Sequence, residues 1–142
     1  MKDIASDVKT FGGKKCKVEV SVKNARKTTS YIDIEIEGTP PIRIEYKAGP
    51  NSISKQEIIS QFIERDLFNS TTINQIQWRY SEYNLTQQTL STWMKEAKKE
   101  LNALPKGKKE TFFPGYDELD GIMDTDIDDF LNKNFLTIFM KK

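Results

Sequence analysis

The stretch YIDIEIEGTPPIRIEYK, residues 31–47, decides how this chain is read. In residues 31–37, Ile32, Ile34 and Ile36 alternate with Asp33, Glu35 and Glu37. That period of two belongs to a strand with one apolar and one polar face. Gly38-Thr39-Pro40-Pro41 then forces a reversal, since proline cannot donate to a β-ladder. Residues 42–47 resume the alternation: Ile42, Ile44 and Tyr46 on one side, Arg43, Glu45 and Lys47 on the other. The pattern predicts a hairpin whose isoleucines share the core side and whose other face gathers Asp33, Glu35, Glu45 and Lys47.

Outward from this hairpin, residues 15–23 also alternate and predict a preceding strand, with Cys16, Val18, Val20 and Val22 on one face. The first dozen residues carry Ile4, Val8 and Phe11 and predict a weak helix stopped by Gly12-Gly13. After the hairpin, Ser54-x-x-Glu57 is a capping box opening a helix to about Asn69. Its apolar stripe is Ile58, Ile59, Phe62, Ile63 and Leu67, and Gln61 and Arg65 share another face. Residues 73–80 predict a fourth strand. Thr86 caps a further helix bearing Leu90, Trp93, Met94, Ala97, Leu101 and Leu104; Lys106–Gly115 reads as a loop; a last helix spans about 125–140. The expected order is helix, three strands, helix, strand, two helices. The chain thus reads as one α/β domain over 1–142, with a core at about 1–80 and a helical extension at about 86–142.

The chain has 142 residues, 37% hydrophobic and 30% charged, a balance typical of a globular domain rather than a disordered one. No apolar run approaches the roughly 20 residues of a membrane helix. The N-terminal stretch MKDIASDVKT lacks the apolar segment of a secretory signal, so an exported chain would be either a processed piece or one using a signal located elsewhere. There is no histidine, which excludes His-based nucleases, His-assisted hydrolases and His-zinc sites. The single Cys16 reads as a small buried hydrophobe. Residues 1–30 hold eight Lys/Arg against three Asp/Glu, and residues 110–142 hold eight Asp/Glu against three Lys. The basic half suits a phosphate backbone; the acidic half suits a solvated helix face.

Carboxylates beside a lysine suit a divalent metal and an attacked phosphate. Asp33 and Glu45, with Glu35 as an extra ligand or substitute, supply the oxygen ligands that Mg2+ takes. Lys47 would position a water or stabilise charge growing on the phosphate. The plainer alternative is an antiparallel ribbon with its polar face in water. Against that ribbon, Asp33 has poor strand propensity, and Glu35 opposite Glu45 would repel without a cation between them.

Asp33, then Glu45-x-Lys47 on the next strand, then a helix carrying Gln61, resembles the PD-(D/E)XK nuclease superfamily. Residues 42–80 look in particular like restriction-endonuclease-fold toxin domains at the C-terminal tips of bacterial polymorphic and contact-dependent inhibition toxins. The resemblance covers roughly residues 15–80; Ile32 stands where that family carries proline. It implies a restriction-endonuclease-like core and a metal-dependent endonuclease acting on DNA or tRNA. It also implies metal binding by Asp33 and Glu45, assistance to the attacking water by Lys47, and a supporting role for Gln61. The metal would be Mg2+, with Mn2+ or Zn2+ as substitutes. The nucleic acid would lie on a basic surface of Lys14, Lys15, Lys17, Arg43 and Arg65. Such a toxin is delivered from the producing bacterium, acts in the target-cell cytoplasm and is neutralised by a cognate immunity protein. The rival class is a non-catalytic nucleic-acid- or protein-binding module.

Three other features have simpler readings. Arg65 and Asp66 could contact phosphate or order the site, but are expected to form a surface ion pair. Trp78 and Tyr80 are expected to face the core rather than stack on a base. The acids from Asp124 to Asp129 begin like a calcium loop, but Asp129 occupies the glycine position and Phe135 that of the final glutamate. They suit a helix N-terminus instead.

Overall fold

The computed structural model describes residues 9–11, 14–49 and 51–141. It is a mixed α/β structure. A six-stranded sheet runs in the order β1 (Lys9–Phe11), β2 (Lys14–Lys23), β3 (Thr29–Ile36), β4 (Ile42–Lys47), β5 (Ile76–Tyr80), β6 (Phe139–Lys141). Neighbours from β1 to β4 are antiparallel, β5 is parallel to β4, and β6 is parallel to β5. The β4–β5 crossover is helix α1, a single α-turn Lys55–Glu57 continued by a π-helix Ile58–Leu67. A 3-10 turn, Ile73–Gln75, leads into β5. Helices α2 (Gln87–Glu96), α3 (Lys98–Asn102), α4 (Lys106–Phe112) and α5 (Asp124–Ile138) follow.

The meander and the crossover helix lie where the alternation and the stripe predict them, and the strand expected over 73–80 forms from Ile76, its first three residues being the 3-10 turn. Ser54 caps α1 by accepting from Glu57 N at 3.2 Å, and Thr86 caps α2 by accepting from Thr89 N at 3.1 Å. Asp124 opens α5, where Asp126 Oδ2 accepts from Met123 N at 2.9 Å, so the acidic stretch is a helix start.

Three expectations are corrected. Residues 9–11 pair with β2 as a strand instead of ending a helix; Ile4 and Val8 lie outside the described residues. Residues 106–112 form α4 instead of a loop. Phe112 is its one buried side chain, and a single apolar residue leaves no helical period to read. The last helix stops at Ile138, because Phe139–Lys141 find an open ladder beside Trp78, Arg79 and Tyr80. The C-terminal extension therefore holds four helices and a strand rather than two helices.

The largest correction concerns which face of the hairpin packs. In the β4–β5 register, Arg43, Glu45 and Lys47 stand beside Ile76, Trp78 and Tyr80 on the same side of the sheet. Ile76, Trp78 and Tyr80 belong to the main core, formed with Ile58, Phe62 and Leu67 of α1 and with Leu90, Met94, Ile127 and Phe130 of α2 and α5. The charged face of β4 thus lies under α1. The isoleucine face forms a separate, smaller cluster of Cys16, Ile36 and Ile44, with Ile34, Ile42 and Tyr46 half-buried around it. Cys16 is buried, as its strand pattern predicts.

Candidate active site

β3 and β4 part at the site. Their ladder pairs Ile36 with Ile42, Glu35 with Arg43 and Ile34 with Ile44, and stops there although both strands continue. Beyond it, Tyr46 N donates at 2.8 Å to the carboxylate Oδ2 of Asp33 rather than to a ladder carbonyl. Across β3, Glu19 lies between the pairs Val18–Ile34 and Val20–Ile32 with φ of 52°. A left-handed non-glycine residue inside a strand costs about 1–3 kcal/mol, and such strain concentrates at functional sites. The backbone is therefore distorted on both sides of Asp33, which accounts for a poor strand former at that point.

Glu45 and Lys47 project under α1. Glu45 is 7% exposed. Its Oε1 accepts from Arg65 Nη2 at 2.9 Å, and its Oε2 lies 3.4 Å from Lys47 Nζ. Lys47 Nζ also donates to Glu57 Oε2 at 3.2 Å and sits 5.6 Å from the centre of the Trp78 ring. Arg65 is 1% exposed, and all three of its guanidinium nitrogens donate. Its Nε donates to Asp66 Oδ1 at 2.8 Å, its Nη1 to the Tyr31 carbonyl at 2.8 Å, and its Nη2 also reaches Asp66 Oδ2 at 3.3 Å. Trp78 Nε1 donates to the same Asp66 Oδ2 at 2.7 Å.

Helix α1 builds this arrangement because its turns are wide. In a π-helix, residues four and five apart share a face. Glu57, Gln61, Arg65 and Asp66 have that spacing, as do the buried Ile58, Phe62, Ile63 and Leu67. Gln61 stands four residues from Glu57, which holds Lys47, and four from Arg65, which holds Glu45. Its Oε1 is buried without a hydrogen-bond partner among the described residues.

Burial is the main cause that lifts the Glu45 pKa from 4.5 to about 7. Arg65 and Lys47 pull it down, while Asp33 and Asp66 push it further up. Burial works against the Arg65 charge, but Asp66 and then Glu45 outweigh it and hold the guanidinium ionised. Four carboxylates (Asp33, Glu45, Glu57, Asp66) here face two cations (Lys47, Arg65), so the cluster carries an excess of acid.

The structure brings Asp33, Glu45 and Lys47 together, and Gln61 lies on α1 midway between Glu57 and Arg65, which contact Lys47 and Glu45. Glu35 is not in the cluster: it accepts from Arg43 Nε at 2.9 Å. The hairpin register pairs Glu35 with Arg43, and continued past Ile34–Ile44 it sets Asp33, not Glu35, opposite Glu45. Arg43 also donates to the Asn69 carbonyl at 3.1 Å and is half-buried. Arg65 is buried and bonded inward, so it is part of the carboxylate network and neither a surface ion pair nor a surface contact for phosphate. Lys15 and Lys17 are exposed and, with Glu35, Glu37, Gly38 and Pro41, line an open cavity of about 320 Å³ on the same side of the sheet. Lys14 opens β2, and its side chain lies outside the described part. Trp78 and Tyr80 face the core, as expected.

Glu57 escapes a sequence reading, and Asp66 enters one only beside Arg65, as a residue that could order the site. Glu57 sits in a capping-box position, yet its carboxylate turns to Lys47. Asp66 follows Arg65 in a helix, where neighbours in sequence ordinarily point apart. The local signal available was the run Glu64-Arg65-Asp66, three successive charges in a helix that is apolar around them.

Among the described residues, no three acidic, His or Cys side chains cluster as a ready-made metal cage. Mg2+ does not require one: it is commonly held by one or two carboxylates and keeps several waters. Asp33 and Glu45 supply carboxylate oxygens of the kind such an ion takes, and on α1 Gln61 Oε1 is buried without a hydrogen-bond partner among the described residues. No family model matches the chain, and neither the curated proteins nor the solved structures contain a match.

Proposed function

We propose that this chain is a metal-dependent endonuclease of the PD-(D/E)XK kind, acting on DNA or tRNA as the toxic domain of a bacterial competition system. One observation carries the reading: Asp33 and the Glu45-x-Lys47 pair converge where β3 and β4 part. The order of three antiparallel strands, a crossover helix and a parallel strand supports it, since the resembled superfamily has that core. Delivery to a target cell and neutralisation by an immunity protein follow from the resemblance carried by residues 15–80.

In this reading Asp33 and Glu45 hold a divalent cation, with Gln61 Oε1 as a further oxygen donor. When bound, such an ion supplies Lewis acidity to the phosphodiester and to the attacking water. Lys47 keeps its ammonium between Glu45 and Glu57, where it orients the water and stabilises negative charge developing on the phosphate. Arg65, fixed by Asp66, orients Glu45. Lys15 and Lys17, exposed on the same side of the sheet, hold the nucleic-acid backbone.

The test is cleavage of supercoiled plasmid and of total tRNA by purified protein with Mg2+, Mn2+, Zn2+ or EDTA, beside a folded Lys47→Ala variant. Metal-dependent cutting that the variant loses supports the reading and names the substrate. A second reading, a binding module without catalysis, has one observation in its favour: both Glu45 oxygens already face cations, Arg65 and Lys47. Absence of cutting by folded protein in every metal selects it.

A further inference from the structure

Helix α1 contacts the site at two points. Arg65 reaches Glu45 from its C-terminal half, and Glu57 reaches Lys47 from its first turn. The Glu57 contact is the less expected one. Lys47 already has the buried Glu45 at 3.4 Å, yet its shorter bond, at 3.2 Å, is to Glu57. The two carboxylates and the Trp78 ring leave Lys47 Nζ a narrow set of positions. The Lys47 side chain is 10% exposed and that of Glu57 34% exposed, so Glu57 forms the solvent side of this enclosure.

Glu57 itself is well placed to act as a fixed stop. Its backbone N–H is tied to Ser54 Oγ at 3.2 Å, and the next residue, Ile58, is fully buried and bonds through its N–H to the Ser54 carbonyl at 3.0 Å. The carboxylate thus hangs from an anchored helix start rather than from a loop. A lysine side chain has four rotatable bonds and loses much of its rotamer freedom when fixed. A carboxylate held on a helix supplies that fixation in advance.

We propose that Glu57 is a positioning residue of the site: it holds Lys47 Nζ at the distance from Glu45 that the reaction requires, and does not itself touch substrate or metal. This deepens the nuclease reading and rests on it for its effect on rate. The positional part is separately measurable.

The experiment compares wild type with Glu57→Ala and Glu57→Gln. The glutamine keeps an oxygen that accepts from Lys47; alanine removes it. Two quantities are read: the rate at which a limiting amine-acetylating reagent modifies Lys47, followed by peptide mass spectrometry, and kcat and KM for the cleaved nucleic acid. In Glu57→Ala, Lys47 is expected to react several-fold faster and kcat to fall about tenfold or more with KM little changed, since misplacing a reacting group acts on the chemical step. Glu57→Gln is expected to restore both values to within about threefold of wild type. Equal Lys47 reactivity in all three proteins overturns the proposal, as does an unchanged kcat in an active Glu57→Ala enzyme. If Lys47 reactivity shifts as expected while no protein cleaves, the positional role stands and the nuclease reading falls. Melting temperatures within a few degrees of wild type exclude unfolding as the cause, and a half-exposed residue in a first helical turn is expected to meet that condition.

Discussion

Glu45 gives the most demanding prediction. Its carboxyl ionises near pH 7 in the folded protein against 4.5 ordinarily, chiefly because it is buried. A folded-state pKa above the unfolded value means that the folded protein binds this proton more tightly. The stability it contributes is complete below pH 4.5 and is lost as pH rises to about 7. Integrating between the two pKa values, the group costs about 0.8 kcal/mol at pH 5 and about 3.3 kcal/mol at pH 8, relative to its protonated form. Glu45→Gln removes the titration while keeping an oxygen for Arg65 Nη2. The stability loss between pH 5 and pH 8 is therefore expected to be about 2.5 kcal/mol larger in wild type than in Glu45→Gln. Urea unfolding at several pH values measures it, and the difference between the two proteins cancels all groups that titrate alike in both. Added Mg2+ at pH 8 should recover stability in wild type, because a cation binding the ionised carboxylate stabilises the folded state, and much less in the glutamine variant. Parallel pH profiles for the two proteins would refute the argument that burial controls this carboxyl.

Four further outcomes are expected. Arg65→Met leaves Glu45 and Asp66 buried without their shared cation and should cost about 3–5 kcal/mol in thermal or urea unfolding; an unchanged melting temperature contradicts the network. Trp78→Phe keeps the edge contact with Phe62 but removes the N–H bonded to Asp66, a loss of about 1–3 kcal/mol; a neutral result places that bond elsewhere. Lys47→Met keeps the apolar stem beside Trp78 and removes the ammonium, so cleavage should fall about 100-fold or more in a folded protein; retained cleavage removes Lys47 from the mechanism. Asp33→Asn should abolish Mg2+ binding by calorimetry while Glu35→Gln leaves it intact, because Glu35 is engaged by Arg43; the reverse order would make Glu35 the ligand.

The elements were legible where local pattern and tertiary demand agree. Alternation placed β2, β3 and β4, two prolines placed the reversal, and side-chain caps placed the starts of α1 and α2. Reading failed where a neighbour supplied what the segment lacked. Phe139–Lys141 carry a continuing helical stripe, but the free edge of β5 offers hydrogen bonds, and strand formation depends on such context. The candidate site was legible as Asp33, Glu45, Lys47 and Gln61 from the hairpin and the resemblance. The part of Glu57 and the burial of Arg65 and Asp66 were not, because no local rule tells which charges a helix will carry beneath it.

By itself, then, the sequence determined that Asp33, Glu45 and Lys47 share one face of a hairpin, since strand side chains alternate with a period of two. It also determined that acid–base or metal chemistry here must use carboxylates, lysine, tyrosine or water, since there is no histidine. Only the tertiary structure decided that this charged face packs inward. β5 continues the same side of the sheet with Ile76, Trp78 and Tyr80, and α1 must cover those apolar residues. In covering them it also covers Glu45 and Lys47. Buried charges require partners, and α1 supplies Arg65 and Glu57 from the turns that face them.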